Sequence, residues 1–194
     1  MPDEHPLQVQ LHNELYREAV KLVWPYLPLE DGLTPGQPVD LEDIQRGRRL
    51  LTRVLEMEPD NWSALWVLGM ACRVAGYEDE AYQALNRAFE VKPDHVDVGR
   101  ELVLQCCING RGAEAVNVSR RVLALKPGDG GLLSNHALAQ ILAGDVVGAY
   151  RTAEQAVAAS PQSRSAAGVR QVAEDILAGR MARPDRWPWD KPRA

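Results

Sequence analysis

The chain has no apolar run that approaches the roughly 18 residues of a membrane span, so no membrane partner is expected. It has no surplus of positive charge either: 22 Lys and Arg stand against 27 Asp and Glu, for a net charge of −5 and a pI of about 5.4. A protein that tracks phosphates needs a basic face, so nucleic acid is set aside as a partner. Cysteine is scarce and odd in number at three, with no CxxC pair and no zinc spacing. Cys72 and the adjacent Cys106 and Cys107 fall inside helical patterns. They read as small buried thiols in a reducing compartment, and a cytoplasmic location is expected. The opening MPDEHPLQVQ is acidic and lacks the apolar stretch of a secretory signal.

Signatures of catalysis are missing as well. No HExxH, GxSxG, P-loop or dinucleotide fingerprint occurs. Of the four histidines, His5 and His12 stand near the beginning, His95 stands in a turn, and His136 reads as a hydrogen-bonded core residue rather than a base. The acidic run Glu78-Asp79-Glu80 sits where it favours a helix dipole, and Arg46, Arg48, Arg49 and Arg53 read as a solvated helix face. The expectation is a protein that is not an enzyme and that carries no cofactor and no metal.

What the chain does contain is periodicity. MEPDN, VKPDH, LKPGD and ASPQS place Pro59, Pro93, Pro127 and Pro161 at intervals of 34 residues. On the same interval fall Gly76, Gly110 and Gly144, then Ala81, Ala115 and Ala149, then Ala88, Val122 and Ala156. Each column has a mechanical reading. The glycine ends a first helix in the left-handed conformation. The alanine lets two helices approach closely. The proline stops a second helix, because it cannot donate the next backbone hydrogen bond. Between them apolar residues recur at helical spacing, so each unit is a pair of short antiparallel helices.

Leu68-Gly69, Gly76, Ala81, Ala88 and Pro93 together resemble the tetratricopeptide repeat, as does the 34-residue period. The resemblance covers 62–163 as three repeats, 62–95, 96–129 and 130–163. It departs where the family favours Trp and Tyr in the first helix, at Leu65, Gly99 and Leu133 and at Cys72, Cys106 and Gln140. His136 stands where Leu is usual. Residues 1–61 are expected to supply an N-terminal helix at 7–24, a proline-rich loop at 25–39 and a divergent half or first repeat, capped by Asp40. Residues 164–194 are expected to supply a capping helix at 164–179 and a Trp/Pro-rich tail with Trp187 and Trp189. The fold class expected is an all-α solenoid of antiparallel helix pairs, a right-handed superhelix closed by that capping helix.

The resemblance implies a concave wall lined by the first helix of each pair. Its inward positions include Trp66, Met70, Arg73, Arg100, Leu104, Cys107, Asn135, Leu138 and Leu142. Of these, Trp66, Met70, Arg73, Arg100, Leu104, Asn135 and Leu138 are the expected partner-binding residues. They form an apolar stripe edged by polar groups, with Trp and Arg as anchors. The function implied is a non-catalytic module that binds a peptide or a partner helix. Some relatives clamp a chaperone's terminal carboxylate with Lys, Asn and Arg. Here Trp66, Met70, Glu101, Gly131 and Asn135 hold those places, and Glu101 would repel a carboxylate. Two arrangements stay open. The wall is free, or it is covered by the N-terminal helix, the loop or the tail. The alternative function is a self-associating structural module, in which the Trp-rich tail or the end helix meets another copy; through the tail this makes a homodimer. As a monomer, the tail is expected to pack on the capping helix.

Overall fold

The computed structural model describes residues 4–27 and 38–188. Among them are nine α-helices and no strand. The expected loop at 25–39 lies mostly outside the described residues, as does Trp189. The helices fall into two compact units, Met1–Lys92 and Pro93–Ala194.

The first unit contains α1 (Glu4–Val23), a short 3-10 turn (Trp24–Tyr26), α2 (Leu41–Met57), α3 (Trp62–Val74) and α4 (Glu78–Val91). α1 pairs with α2, α3 pairs with α4, and α2 packs on α3. Their common core joins Leu15, Ala19 and Val23 of α1 to Ile44, Leu51 and Val54 of α2 and to Ala64, Val67, Met70 and Ala71 of α3. Gly47 is buried there because a Cβ would meet Val23 and the Ala19 carbonyl. Asp40 caps α2, accepting from the backbone N–H groups of Glu42 at 2.8 Å and Asp43 at 3.3 Å.

The second unit contains α5 (Val96–Ile108), α6 (Gly112–Leu125), α7 (Gly130–Ala143), α8 (Val146–Ala159) and α9 (Arg164–Leu177). The pairs are α5 with α6 and α7 with α8. α9 packs on both α7 and α8. Ala115, Ala149 and Ala156 are wholly buried, as the repeat's close helix approach requires. Burying each Leu- or Val-sized side chain in such a core contributes about 1.5–3 kcal/mol.

The repeated proline and glycine act as their chemistry dictates. α2, α4, α6 and α8 end two residues before Pro59, Pro93, Pro127 and Pro161. The intervening Glu58, Lys92, Lys126 and Ser160 have ψ of 85°, 70°, 77° and 75°, outside the helical region that a following proline disfavours. Gly76, Gly110 and Gly144 take φ of 83°, 70° and 96° at the ends of α3, α5 and α7. The same interval also writes the starts of the helices. Asn61, His95, Asp129 and Ser163 each accept the N–H three residues on, at 3.0, 3.4, 2.9 and 3.2 Å. His95, read from sequence only as a turn residue, is thus an N-cap whose Nδ1 is the acceptor.

Candidate functional site

Of the seven expected binding residues, three lie in the first unit and four in the second. In the first unit, α3 carries Trp66, Met70 and Arg73. Trp66 is half-buried and meets Trp24 edge-on, with ring centroids 6.5 Å apart and planes at 84°. The 3-10 turn after α1 therefore stands against this part of the expected wall. Met70 is only 2% exposed and belongs to the core with Leu15, Ala19 and Val23. It supports the surface from beneath and offers no side chain to a partner. Arg73, in the last turn of α3, is half-buried.

A polar network joins α2 to the α3–α4 turn. Arg48 stacks on Tyr77 at 4.1 Å, donates to Gln45 at 3.0 Å and pairs with Glu80. Gln45 in turn donates to the Tyr77 hydroxyl at 2.8 Å. The Cys72 thiol faces Glu80, and burial pushes its pKa up although Arg48 pulls the other way. Of the basic cluster read as a solvated face, Arg48 is thus a packing residue, and Arg46 pairs with Glu18 on α1. Lower on α1, Gln8, Leu11 and Leu15 share an open cleft of about 380 Å³ with Arg53, Glu56 and Met57 of α2.

In the second unit, α5 carries Arg100 and Leu104, and α7 carries Asn135 and Leu138. Arg100 is paired with Asp97 at 3.3 Å and approaches Asp129 at 3.9 Å. Leu104 and Asn135 are half-buried, with faces left to solvent, whereas Leu138 is 5% exposed and acts as core. His136 sits beside this surface. Its Nδ1 is 2.7 Å from Ser119 Oγ of α6, and Ser119 also donates to the Val116 carbonyl. Burial lowers the His136 pKa, Arg120 adds to that, and Asp145 opposes it. A serine 2% exposed, beside a histidine that closes a hydrogen-bond chain, is built as packing rather than as a nucleophile and base.

Burial pushes the Cys106 thiol up to about 12 and Cys107 further in the same direction. Neither is a thiolate near neutrality, so neither has the form in which cysteine attacks. Among the described residues no group of His, Cys, Asp and Glu is arranged to hold a metal ion.

The start of the tail is held to the capping helix as expected, where Arg180 pairs with Asp175 at 2.7 Å and Glu174 at 3.6 Å, but its further residues are anchored to a different surface. Arg183 Nη1 donates to the Leu142 carbonyl at 2.8 Å, and Trp187 N–H donates to the Cys107 carbonyl at 3.0 Å. The Asp185 carbonyl lies 3.2 Å from where a Cβ on Gly110 would be. The segment thus crosses the C-terminal ends of α5 and α7, touching two residues of the expected inward set. Sequence reasoning missed this seat because its recognition groups are backbone carbonyls.

Residues 39–95 match the family model of the tetratricopeptide repeat. None of the curated proteins matches the chain in sequence. Similar solved structures include a MamA protein, 15% identical with a TM-score of 0.71, covering 88% of this chain and 85% of that one. A tetratricopeptide repeat protein from Parabacteroides merdae is 17% identical with a TM-score of 0.69; the match covers 88% of this chain and 61% of that one. YrrB, a TPR protein with an unusual peptide-binding site, is 14% identical with a TM-score of 0.62, covering 74% of this chain and 73% of that one. At these identities the likeness is one of fold.

Proposed function

We propose that this chain, a tetratricopeptide-repeat protein, is a non-catalytic interaction module that takes a peptide or partner helix on the first helices of its repeats. The observation that carries the reading is in the second unit. Arg100, Leu104 and Asn135 keep faces to solvent over a core that Leu102, Leu138 and Ile141 already fill. An apolar residue flanked by an arginine and an amide, on rigid helices, is the composition of a binding hot spot. In the first unit Trp66 and Arg73 are the corresponding anchors, Trp66 in company with Trp24.

The fold, the protonated thiols and the closed Ser119–His136 pair support binding over catalysis. The acidic charge favours a protein partner over nucleic acid. Among the described residues no helix is long and apolar enough to cross a membrane, and three free, buried cysteines fit a reducing cytoplasm.

The test begins with affinity capture of a partner and a binding titration. Leu104→Ala and Trp66→Ala should each weaken binding by about 1 kcal/mol or more, roughly fivefold in Kd, with the helical signal unchanged. Normal binding by both, together with loss in Glu154→Ala on the exposed side of α8, would place the interface elsewhere.

A further inference from the structure

The last carbonyls of a helix have no partner within the helix, and they carry the negative end of its dipole. At the ends of α5 and α7 such carbonyls are not left to water. The Leu142 carbonyl receives the Arg183 guanidinium at 2.8 Å, and the Cys107 carbonyl receives the Trp187 N–H at 3.0 Å beside the N–H of Gly110 at 3.3 Å. A charged donor on a helix C-terminus makes the stronger kind of hydrogen bond. Between the two anchors, Pro184 removes one backbone donor, the chain bends from Asp185 onward, and the Asp185 carbonyl passes over Gly110.

The seat is specific to one turn. Gly76, Gly110 and Gly144 occupy equivalent places and share the left-handed conformation. Among the described residues a Cβ at Gly76 or Gly144 would meet nothing within 4 Å, whereas over Gly110 it would meet the tail. The repeat requires glycine at all three for the same backbone reason. Only at Gly110 does the bare Cα also admit a second chain segment.

We propose that the ends of α5 and α7 form a recognition seat for a proline-rich segment carrying an arginine, and that the chain's own tail fills it in cis. This rests on the interaction-module reading and names the chemistry of the partner: a guanidinium for the Leu142 carbonyl and, four residues on, a backbone N–H for the Cys107 carbonyl. A segment held by a short linker to α9 faces its seat at an effective concentration on the order of millimolar. An external segment of like chemistry therefore binds only in competition with the tail.

The experiment uses the full-length chain and a labelled synthetic peptide of residues 181–194, MARPDRWPWDKPRA. Arg183→Glu places a negative charge against the helix end and should free the seat. The peptide should bind this variant at least about tenfold more tightly than the wild type. Trp187→Pro, which deletes the N–H donor but keeps Arg183, should open the seat in the same direction. A peptide with Glu in place of its first arginine should bind neither protein. Equal binding to wild type and Arg183→Glu, or binding to neither while both keep their helical signal, overturns the proposal. A wild-type dimer that Arg183→Glu converts to monomer overturns the cis arrangement, since the tail would then serve a second copy. Should the peptide fail while Leu104→Ala still weakens a captured partner, the seat is wrong and the interaction module stands.

Discussion

The repeats 96–129 and 130–163 share a period, a left-handed glycine and a buried alanine, yet their helix turns meet different surroundings. After Gly144 the second helix begins with Val146, which is half-buried. After Gly110 the corresponding residue is Gly112, where a Cβ would stand 2.6 Å from the Leu142 carbonyl carbon and 2.7 Å from Ala143 N. Over Gly110 itself runs the tail. The period fixes the backbone of each turn. What is packed on a turn fixes which side chains it can carry, and that is where one repeat acquires a use its neighbour lacks.

The largest effect should come from filling the space at Gly112. The obstacle is the backbone of α7, which no rotamer change moves. Gly112→Ala should cost about 2–3 kcal/mol in denaturant unfolding, as overpacking of a rigid site does. Exchanging Val146 for Ala at the equivalent place should cost well under that. Equal costs would mean that α7 shifts freely and that the two turns do not differ.

Next is the pair Gly110 and Gly144. Gly144→Ala should cost about 1–2 kcal/mol, the penalty of an L-residue in the left-handed region. Gly110→Ala carries the same strain and also presses on Asp185. It should cost more than Gly144→Ala in the wild type and the same in the Arg183→Glu background. A difference that survives in that background would locate the extra cost outside the tail.

The legibility of the sequence follows the same division. The 34-residue columns were readable because each rests on local backbone chemistry: a left-handed glycine, a proline that ends a helix, an alanine at a close approach. The caps at Asn61, His95, Asp129 and Ser163 lie on that interval too, but four different residue types disguise them. Of the expected binding set, Met70 and Leu138 are buried, which is a matter of tertiary packing. The tail's tryptophans raised the expectation of a docked segment, whereas the contacts that hold 183–187 come from Arg183 and the main chain. Its seat left no trace in side-chain identity, because main-chain carbonyls form it.

A third test returns to the first unit, where Trp66 meets Trp24 edge-on while Arg100, its counterpart on α5, pairs with Asp97. Trp24→Leu and Trp66→Leu, measured singly and together, should give a coupling of about 1 kcal/mol, the value of an edge-to-face pair. Additive effects would show that Trp66 gains nothing from Trp24.

The smallest effect separates Leu102 from His136, which occupy the same place in successive repeats. Leu102 is wholly buried, and His136 is half-buried with Nδ1 on Ser119. Burial, helped by Arg120 and opposed by Asp145, lowers the His136 pKa below its ordinary value of 6.5. Between that value and the folded one, the unfolded chain binds more protons than the folded chain does. The stability conferred by neutral His136 is fully present above about pH 6.5 and is lost as the pH falls through the folded pKa. Protonation leaves the Ser119 bond possible, since Nδ1–H can donate to Oγ while Oγ–H donates to Val116. The loss therefore comes from placing charge in a half-buried site near Arg120, and it should stay under about 1 kcal/mol for a group this exposed. Unfolding midpoints at pH 7.5 and pH 5.0 should fall further in the wild type than in His136→Leu, which copies the second repeat. The carboxylates common to both proteins cancel in that difference. Identical falls in the two proteins would mean that His136 stays neutral throughout or is solvated well enough to charge without cost.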